Sequence, residues 1–119
     1  MAGHGLRAPQ NRFRALYPDH AIEPAWLVQC TYAPDAEETR VPFRAAHLAR
    51  AAELKRQGVV IEVGAYADVS ASVLVIRAKT EAEALEVCRQ DVYMQNGVWV
   101  ELRAKPFGRL WLAEEAFAG

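Results

Sequence analysis

The sequence predicts a single α+β domain of the ferredoxin-like type, with its elements in the order βαββαβ. The first observation is that order: two helical patterns alternate with four short runs rich in β-branched and aromatic residues. The second is that only a short turn separates the second and third of these runs, as in a hairpin. The third is size, because 119 residues suffice for one hydrophobic core. We therefore expect a four-stranded antiparallel sheet with both helices on one face.

The first half of this order follows an N-terminal arm. Residues 1–25 contain three prolines and no sustained periodicity, so we expect an arm that packs on the domain or on a partner subunit. The run WLVQCTYA, which starts at Trp26, predicts the first strand, and Pro34 and Asp35 follow its end. The stretch VPFRAAHLARAAELKRQG (41–58) predicts the first helix, which Gly58 ends.

The second half begins with the runs VVIEVGAYA and SVLVIRA, which predict a hairpin around the turn DVSA. The stretch TEAEALEVCRQ predicts the second helix, and Thr80 and Glu83 have the spacing of a capping box. We expect DVYMQNG to be a loop and VWVELRAKPF to be a last strand that stops near Pro106. The domain is thus expected to span residues 26–107, with a tail of residues 108–119 that packs on the domain or on a partner.

Composition excludes several classes of partner. The chain has 14 basic and 15 acidic residues, which gives no electrostatic reason to expect a nucleic acid or an anionic membrane. No apolar run approaches the roughly 20 residues that cross a bilayer, and the N-terminus lacks the apolar segment of a secretory signal. Cys30 and Cys88 match no metal or redox spacing. We therefore expect a cytoplasmic protein with two reduced, buried thiols.

The sheet face away from the helices is expected to form a homodimer interface. Alternation divides the last strand into Val98, Val100 and Leu102 on one side and Trp99, Glu101 and Arg103 on the other. The second set is too aromatic for a solvent face and too charged for a core, which favours an interface that includes Trp99 and Tyr66. The alternative is a half-polar face in contact with water.

The first predicted helix carries a histidine on its apolar side. A helical wheel places Phe43, Ala51 and Leu54 with His47, and places Arg50 on the opposite side. An imidazole among apolar groups needs a hydrogen-bond partner, which is why a lone histidine in this position is often an ordinary core residue. Both helices cover the same sheet face, so Asp91, after the second helix, is a candidate partner that would fix one imidazole tautomer.

Two short motifs resemble the YCII-related family: R-x-x-H-L, formed by Arg44, His47 and Leu48, and D-x-Y-x-x-x-G, formed by Asp91, Tyr93 and Gly97. The segments GVVIEVGAY and AKPF are also similar, so the resemblance runs from about Trp26 to Phe107. It departs at Val92, where the family usually has proline, and at Gly64-Ala65, where the family tends to have Gly-Pro.

The resemblance implies a dimeric α+β barrel with a His47–Asp91 active site. It also implies a small-molecule ligand beside Arg44 and Tyr93. Family and superfamily members include a dehydrochlorinase, lactone isomerases and monooxygenases.

Three functions remain open at this point. The first is a small-molecule isomerase or lyase, dehydrochlorinase-like, in which His47 and Asp91 transfer protons without a cofactor. The second is a non-catalytic ligand-binding or interaction dimer in which the His47–Asp91 pair is structural. The third is a haem- or quinone-handling protein with His47 as an axial ligand. One histidine and one aspartate are too few for a transition-metal site, and the sequence has no phosphate-binding glycine loop.

Overall fold

The computed structural model describes residues 20–112 of the chain. Within this range there are four strands: β1 (His20–Tyr32), β2 (Val60–Ala65), β3 (Ala71–Ile76) and β4 (Trp99–Leu112). Four α-helices accompany them: α1 (Ala36–Thr39), α2 (Arg44–Arg56), α3 (Glu81–Arg89) and α4 (Val92–Gln95). A 3-10 turn, Val41–Phe43, leads into α2.

The strands form one antiparallel sheet in the order β2-β3-β1-β4. This order places the two central strands, β1 and β3, between the strands that follow the two long helices. The predicted α+β, ferredoxin-like fold with a four-stranded antiparallel sheet is thereby confirmed. No helix in residues 20–112 is long and apolar enough to cross a membrane.

Both β1 and β4 extend beyond the ends that the sequence predicted. Residues 20–25, expected in the arm, pair with residues 107–112, from His20 opposite Leu112 to Ala25 opposite Phe107. Residues 108–112 of this segment were expected in the tail. Pro24 and Pro106 did not stop these strands, because β1 has only β4 beside it at Pro24 and β4 is an edge strand. Residues 1–19 of the arm and 113–119 of the tail lie outside the described part.

A bulge at the start of β4 corrects the predicted orientation of Trp99. Thr31 lies opposite Glu101, whereas Tyr32 lies opposite Trp99, so Val100 is the extra residue of β4. One extra residue reverses the face on which the preceding side chain lies. Trp99 is consequently 1% exposed and belongs to the core under the helices, so its predicted place in a dimer interface was wrong.

The core lies between the sheet and the helices. Val28, Cys30, Tyr32, Leu74 and Ile76 from the sheet meet Ala84 and Cys88 from α3 and Tyr93 from α4. Both cysteines are free and buried. Although they are distant in sequence, a hydrogen bond with Cys88, together with burial, raises the pKa of the Cys30 thiol.

The first turn of α3 is capped from the predicted residues. The Thr80 Oγ1 accepts a hydrogen bond from the Glu83 N–H, as expected for the N-cap. The Glu83 carboxylate accepts from the N–H of Lys79, one residue earlier than in a standard capping box. The start of α3, and with it the path of the chain toward Asp91, is therefore fixed by local hydrogen bonds.

Candidate active site

Helix α2 holds the histidine against the sheet. Of its thirteen residues only His47 is buried, with 7% of its surface exposed. Phe43, before the helix, and Leu54, near its end, pack partly against the core, whereas Leu48 is half exposed. The one buried residue of this helix is therefore polar, and it needs a hydrogen-bond partner inside the protein.

That partner is Asp91, which also begins the short helix α4. Its side chain accepts a hydrogen bond from the N–H of Tyr93 at 2.9 Å, which makes it the N-cap. Residues 91–97 were predicted to be a loop. Because Asp91 caps the segment, residues 92–95 form a helical turn instead. Val92 occupies the first helical position, which tolerates proline well.

His47 and Asp91 are in direct contact. The Nδ1 atom of His47 lies 2.9 Å from Oδ1 and 3.0 Å from Oδ2 of Asp91, whose residue surface is 3% exposed. A carboxylate can only accept hydrogen bonds, so the imidazole donates from Nδ1–H. In the neutral ring the lone pair is therefore on Nε2, and that nitrogen is left for a ligand.

Arg50 is a third member of this group, and its predicted position was wrong. Its guanidinium lies 3.4 Å from Oδ2 of Asp91, so it is on the same side of α2 as His47 rather than on the opposite side. Residues three apart in a helix differ by about 60° on the wheel, which brings these two side chains together. Arg50 adds a positive charge beside the carboxylate.

Aromatic rings enclose the imidazole. Tyr93 stacks on His47 with ring centroids 3.8 Å apart and planes inclined by 10°, and Trp99 meets the imidazole edge-on at 5.3 Å. Burial, and then the neighbouring Tyr32, raise the pKa of the Tyr93 phenol. The stacked and edge-on ring contacts fix the plane of the imidazole.

A cavity of about 240 Å³ opens beside the stacked rings. Its polar lining consists of Tyr32, Arg40, Arg44, His47, Ser72 and Tyr93, and its other lining residues are Leu48, Ala51, Val63, Gly64 and Ala65. Of the four residues predicted for the site, His47, Arg44 and Tyr93 line the cavity. Asp91 lies behind His47 and is bonded to it.

Sequence reasoning missed Tyr32, Ser72 and Arg40. Strand alternation could have found Tyr32, which follows Val28 and Cys30 on the helix-covered face of β1. The Ser72 hydroxyl lies 3.0 Å from the Tyr32 hydroxyl, and the Arg40 guanidinium lies 5.8 Å from the centre of the Tyr32 ring. No local pattern indicates Arg40, because it lies between two short helices.

Residues 20–112 contain no group of three or more histidine, cysteine, aspartate or glutamate side chains placed to hold a metal ion. The polar groups of the cavity are instead an imidazole backed by a carboxylate, three hydroxyls and two guanidinium groups. This set can move a proton and bind an anion.

Comparison with known proteins agrees with the fold. The sequence model of the family described as YCII-related domain matches residues 25–108. A similar solved structure is 5-chloro-2-hydroxyhydroquinone dehydrochlorinase (TftG) from Burkholderia phenoliruptrix AC1100, in complex with 2,5-dihydroxybenzoquinone. It has a TM-score of 0.61 and 20% sequence identity, over 70% of this chain and 92% of that chain. No curated protein matches the chain in sequence.

Proposed function

The chain belongs to the YCII-related domain family, and we propose that it is a small-molecule enzyme in which His47 and Asp91 transfer a proton. The observation that carries the proposal is the contact of 2.9 Å between Nδ1 of His47 and Asp91 at the wall of a cavity. The contact occupies one ring nitrogen and leaves Nε2 as the acid or base. The proposed proton transfer needs no group beyond these side chains.

The chemistry that suits this pair is isomerisation or elimination. Nε2 of His47 takes a proton from a C–H or O–H group of the substrate, and the Asp91 carboxylate stabilises the imidazolium that forms. In an isomerisation the same proton returns to a different atom. In an elimination the substrate's electron pair forms a double bond and expels a leaving group such as chloride. TftG, a dehydrochlorinase of the same fold, supports the second type.

Arg44 and Tyr93 are proposed to bind the substrate rather than to react. Arg44 lies one helical turn before His47 and lines the cavity, where its charge stabilises an anionic oxygen. Tyr93 stacks on the imidazole and fixes its direction. The proton transfer itself is assigned to His47 alone.

We also propose that two chains associate through the outer face of the sheet. In residues 20–112 both long helices pack on the opposite face, and Leu27, Val73 and Val75 are only half-buried on this one. Val75→Glu should therefore convert a dimer to a monomer in analytical ultracentrifugation, whereas Ala49→Glu, at an exposed position of α2, should not. A monomeric wild-type protein would contradict the dimer.

The proposed reaction is tested with His47→Gln. Glutamine keeps an N–H that can bond Asp91 but cannot act as a base, so the fold should persist and turnover should fall at least 100-fold. Wild type and variant are compared on chlorinated hydroxyquinols, hydroxylated aromatic acids and lactones, with Arg56→Gln as an exposed control. A variant that turns over substrate at the wild-type rate would refute catalysis by His47.

The second candidate, a non-catalytic binding protein, has one observation in its favour. Asp91 joins His47 of α2 to the backbone of α4, so the pair also holds two helices together. If this is its whole role, no compound that binds is converted, and His47→Ala lowers stability without any effect on a reaction. Turnover by the wild-type protein distinguishes the two.

A further inference from the structure

We propose that the cavity takes a small, single-ring organic carboxylate, whose charge is bound by Arg40 and Arg44 together. This inference rests on the proposed function, because it names the substrate class of the same site. It assigns a binding role to Arg40, which the motif around His47 does not include.

Most arginines in the described part of the chain are paired with a carboxylate. Eight arginines lie in residues 20–112, and six of them contact a carboxylate: Arg50, Arg56, Arg77, Arg89, Arg103 and Arg109. Arg40 and Arg44 contact no carboxylate within these residues, and both line the cavity. The two guanidinium groups without an acidic partner in this part of the chain are therefore the two beside the histidine.

Both charges are close to the reactive end of the cavity. The guanidinium of Arg40 lies over the Tyr32 ring, with 5.8 Å from its central carbon to the ring centroid. The charge of Arg44, and then that of Arg40, lowers the pKa of the Tyr93 phenol, against the effect of burial, which raises it. Since Tyr93 stacks on His47, an anion held by the two arginines lies beside the imidazole.

A guanidinium group binds a carboxylate through two parallel hydrogen bonds, and such charge-assisted bonds are the strong ones. Two guanidinium groups around one cavity repel each other unless an anion lies between them. A ligand carboxylate removes this repulsion and is bound more tightly than a neutral group of the same shape. The cavity is therefore selective for charge.

The volume of the cavity and its other lining residues indicate the size and polarity of the rest of the ligand. A volume of about 240 Å³ is below the usual 300–1,000 Å³ of sites for drug-sized ligands, so one ring fits better than two. Leu48, Ala51 and Val63 provide apolar contacts. The Ser72 hydroxyl donates to the Tyr32 hydroxyl, which keeps its own proton for a hydroxyl or carbonyl oxygen of the ligand.

The test compares 4-hydroxybenzoate with 4-hydroxybenzamide, which has the same shape without the charge. Binding to the full chain is measured by isothermal titration calorimetry and by NMR shift perturbation at pH 7.5. We expect 4-hydroxybenzoate to bind at least tenfold more tightly than the amide. Arg40→Gln and Arg44→Gln should each weaken the benzoate about tenfold, consistent with the loss of one charged hydrogen bond, and leave the amide within twofold.

Arg56→Gln is the matched control, because Arg56 is an exposed arginine of α2 that pairs with Glu53 outside the cavity. It should bind the benzoate like the wild type. Equal affinities for the two probes would overturn the inference. So would benzoate binding that survives Arg40→Gln and Arg44→Gln, or no binding of the benzoate at millimolar concentration.

These outcomes are separable from those for the proposed reaction. Arginine-dependent binding of the benzoate with no turnover of any substrate would support the anion site and refute the enzyme. Turnover that depends on His47 but acts equally well on neutral and anionic compounds would support the enzyme and refute the anion site.

Discussion

Replacement of Asp91 by alanine tests how much one carboxylate contributes to this fold. The side chain accepts two hydrogen bonds at 2.9 Å, from Nδ1 of His47 and from the N–H of Tyr93, and it is nearly inaccessible to solvent. Alanine removes both acceptors and leaves a buried imidazole N–H without a partner. We therefore expect Asp91→Ala to destabilise the protein more than an ordinary surface substitution does.

The magnitude follows from these two bonds. Loss of an N-cap side chain costs about 1 kcal/mol. An unpaired buried donor costs about 1–3 kcal/mol, and the longer contact with the partly exposed Arg50 adds little. The free energy of unfolding should therefore fall by about 2–4 kcal/mol. In a domain of this size that corresponds to a fall in Tm of about 8–16 °C.

The assay is urea unfolding followed by circular dichroism, with two further variants. Asp91→Asn keeps Oδ1, the atom to which both bonds run, and should lose only about 1 kcal/mol. Asp35→Ala is the matched control: Asp35 also precedes a four-residue helix, but its side chain is exposed and makes no capping bond. A loss in Asp91→Ala no larger than in Asp35→Ala would refute the reasoning.

Two further predictions concern pH and a glycine. The pKa of Tyr93 is raised by burial above its usual 10.0, so unfolded chains ionise first and stability falls above about pH 10; urea unfolding between pH 9 and 11 should show a smaller fall in Tyr93→Phe, and an unchanged fall would contradict this. Gly97 has a φ of 73° and no atom within 4 Å of an added Cβ, so Gly97→Ala should cost about 1 kcal/mol of backbone strain. Gly64→Ala is its control, because it also meets nothing within 4 Å and has no left-handed φ, and equal effects of the two on Tm would refute the strain.

The order of the helices and strands was predictable because each of these elements has a sequence pattern of its own. Strand alternation, the capping residues of α3 and the glycine after α2 act over a few residues, and they agree with one another. The same patterns bring His47 and Asp91 together, since the topology puts both long helices on one sheet face. The pairing of these two residues was therefore within reach of the sequence.

Features that depend on strand register or on contacts between distant residues were not predictable from the sequence. The bulge at Val100 has no local sequence signal, yet it moved Trp99 from the outer face into the core beside the histidine. The extension of β1 and β4 was missed because proline is normally read as the end of a strand. Proline is tolerated here since neither position has a neighbouring strand on its open side.

Arg40 was harder to predict, because its proposed role depends on the absence of a carboxylate partner. Nothing in the sequence distinguishes Arg40 from the six arginines that have carboxylate partners. Only the folded chain shows which carboxylates are already in use, and in residues 20–112 these leave Arg40 and Arg44 unpaired beside the cavity.

Asp91 links the stability of the fold to its proposed chemistry. The same carboxylate caps α4 and fixes the His47 tautomer, so the imidazole is oriented before any ligand arrives. The position of Tyr93 also depends on this cap, because the first turn of α4 places its ring against the imidazole. A substitution that weakens the cap should therefore weaken the orientation of His47 as well. Asp91→Asn keeps both hydrogen bonds but not the charge, so it should retain the orientation of His47 and lose the stabilisation of the imidazolium.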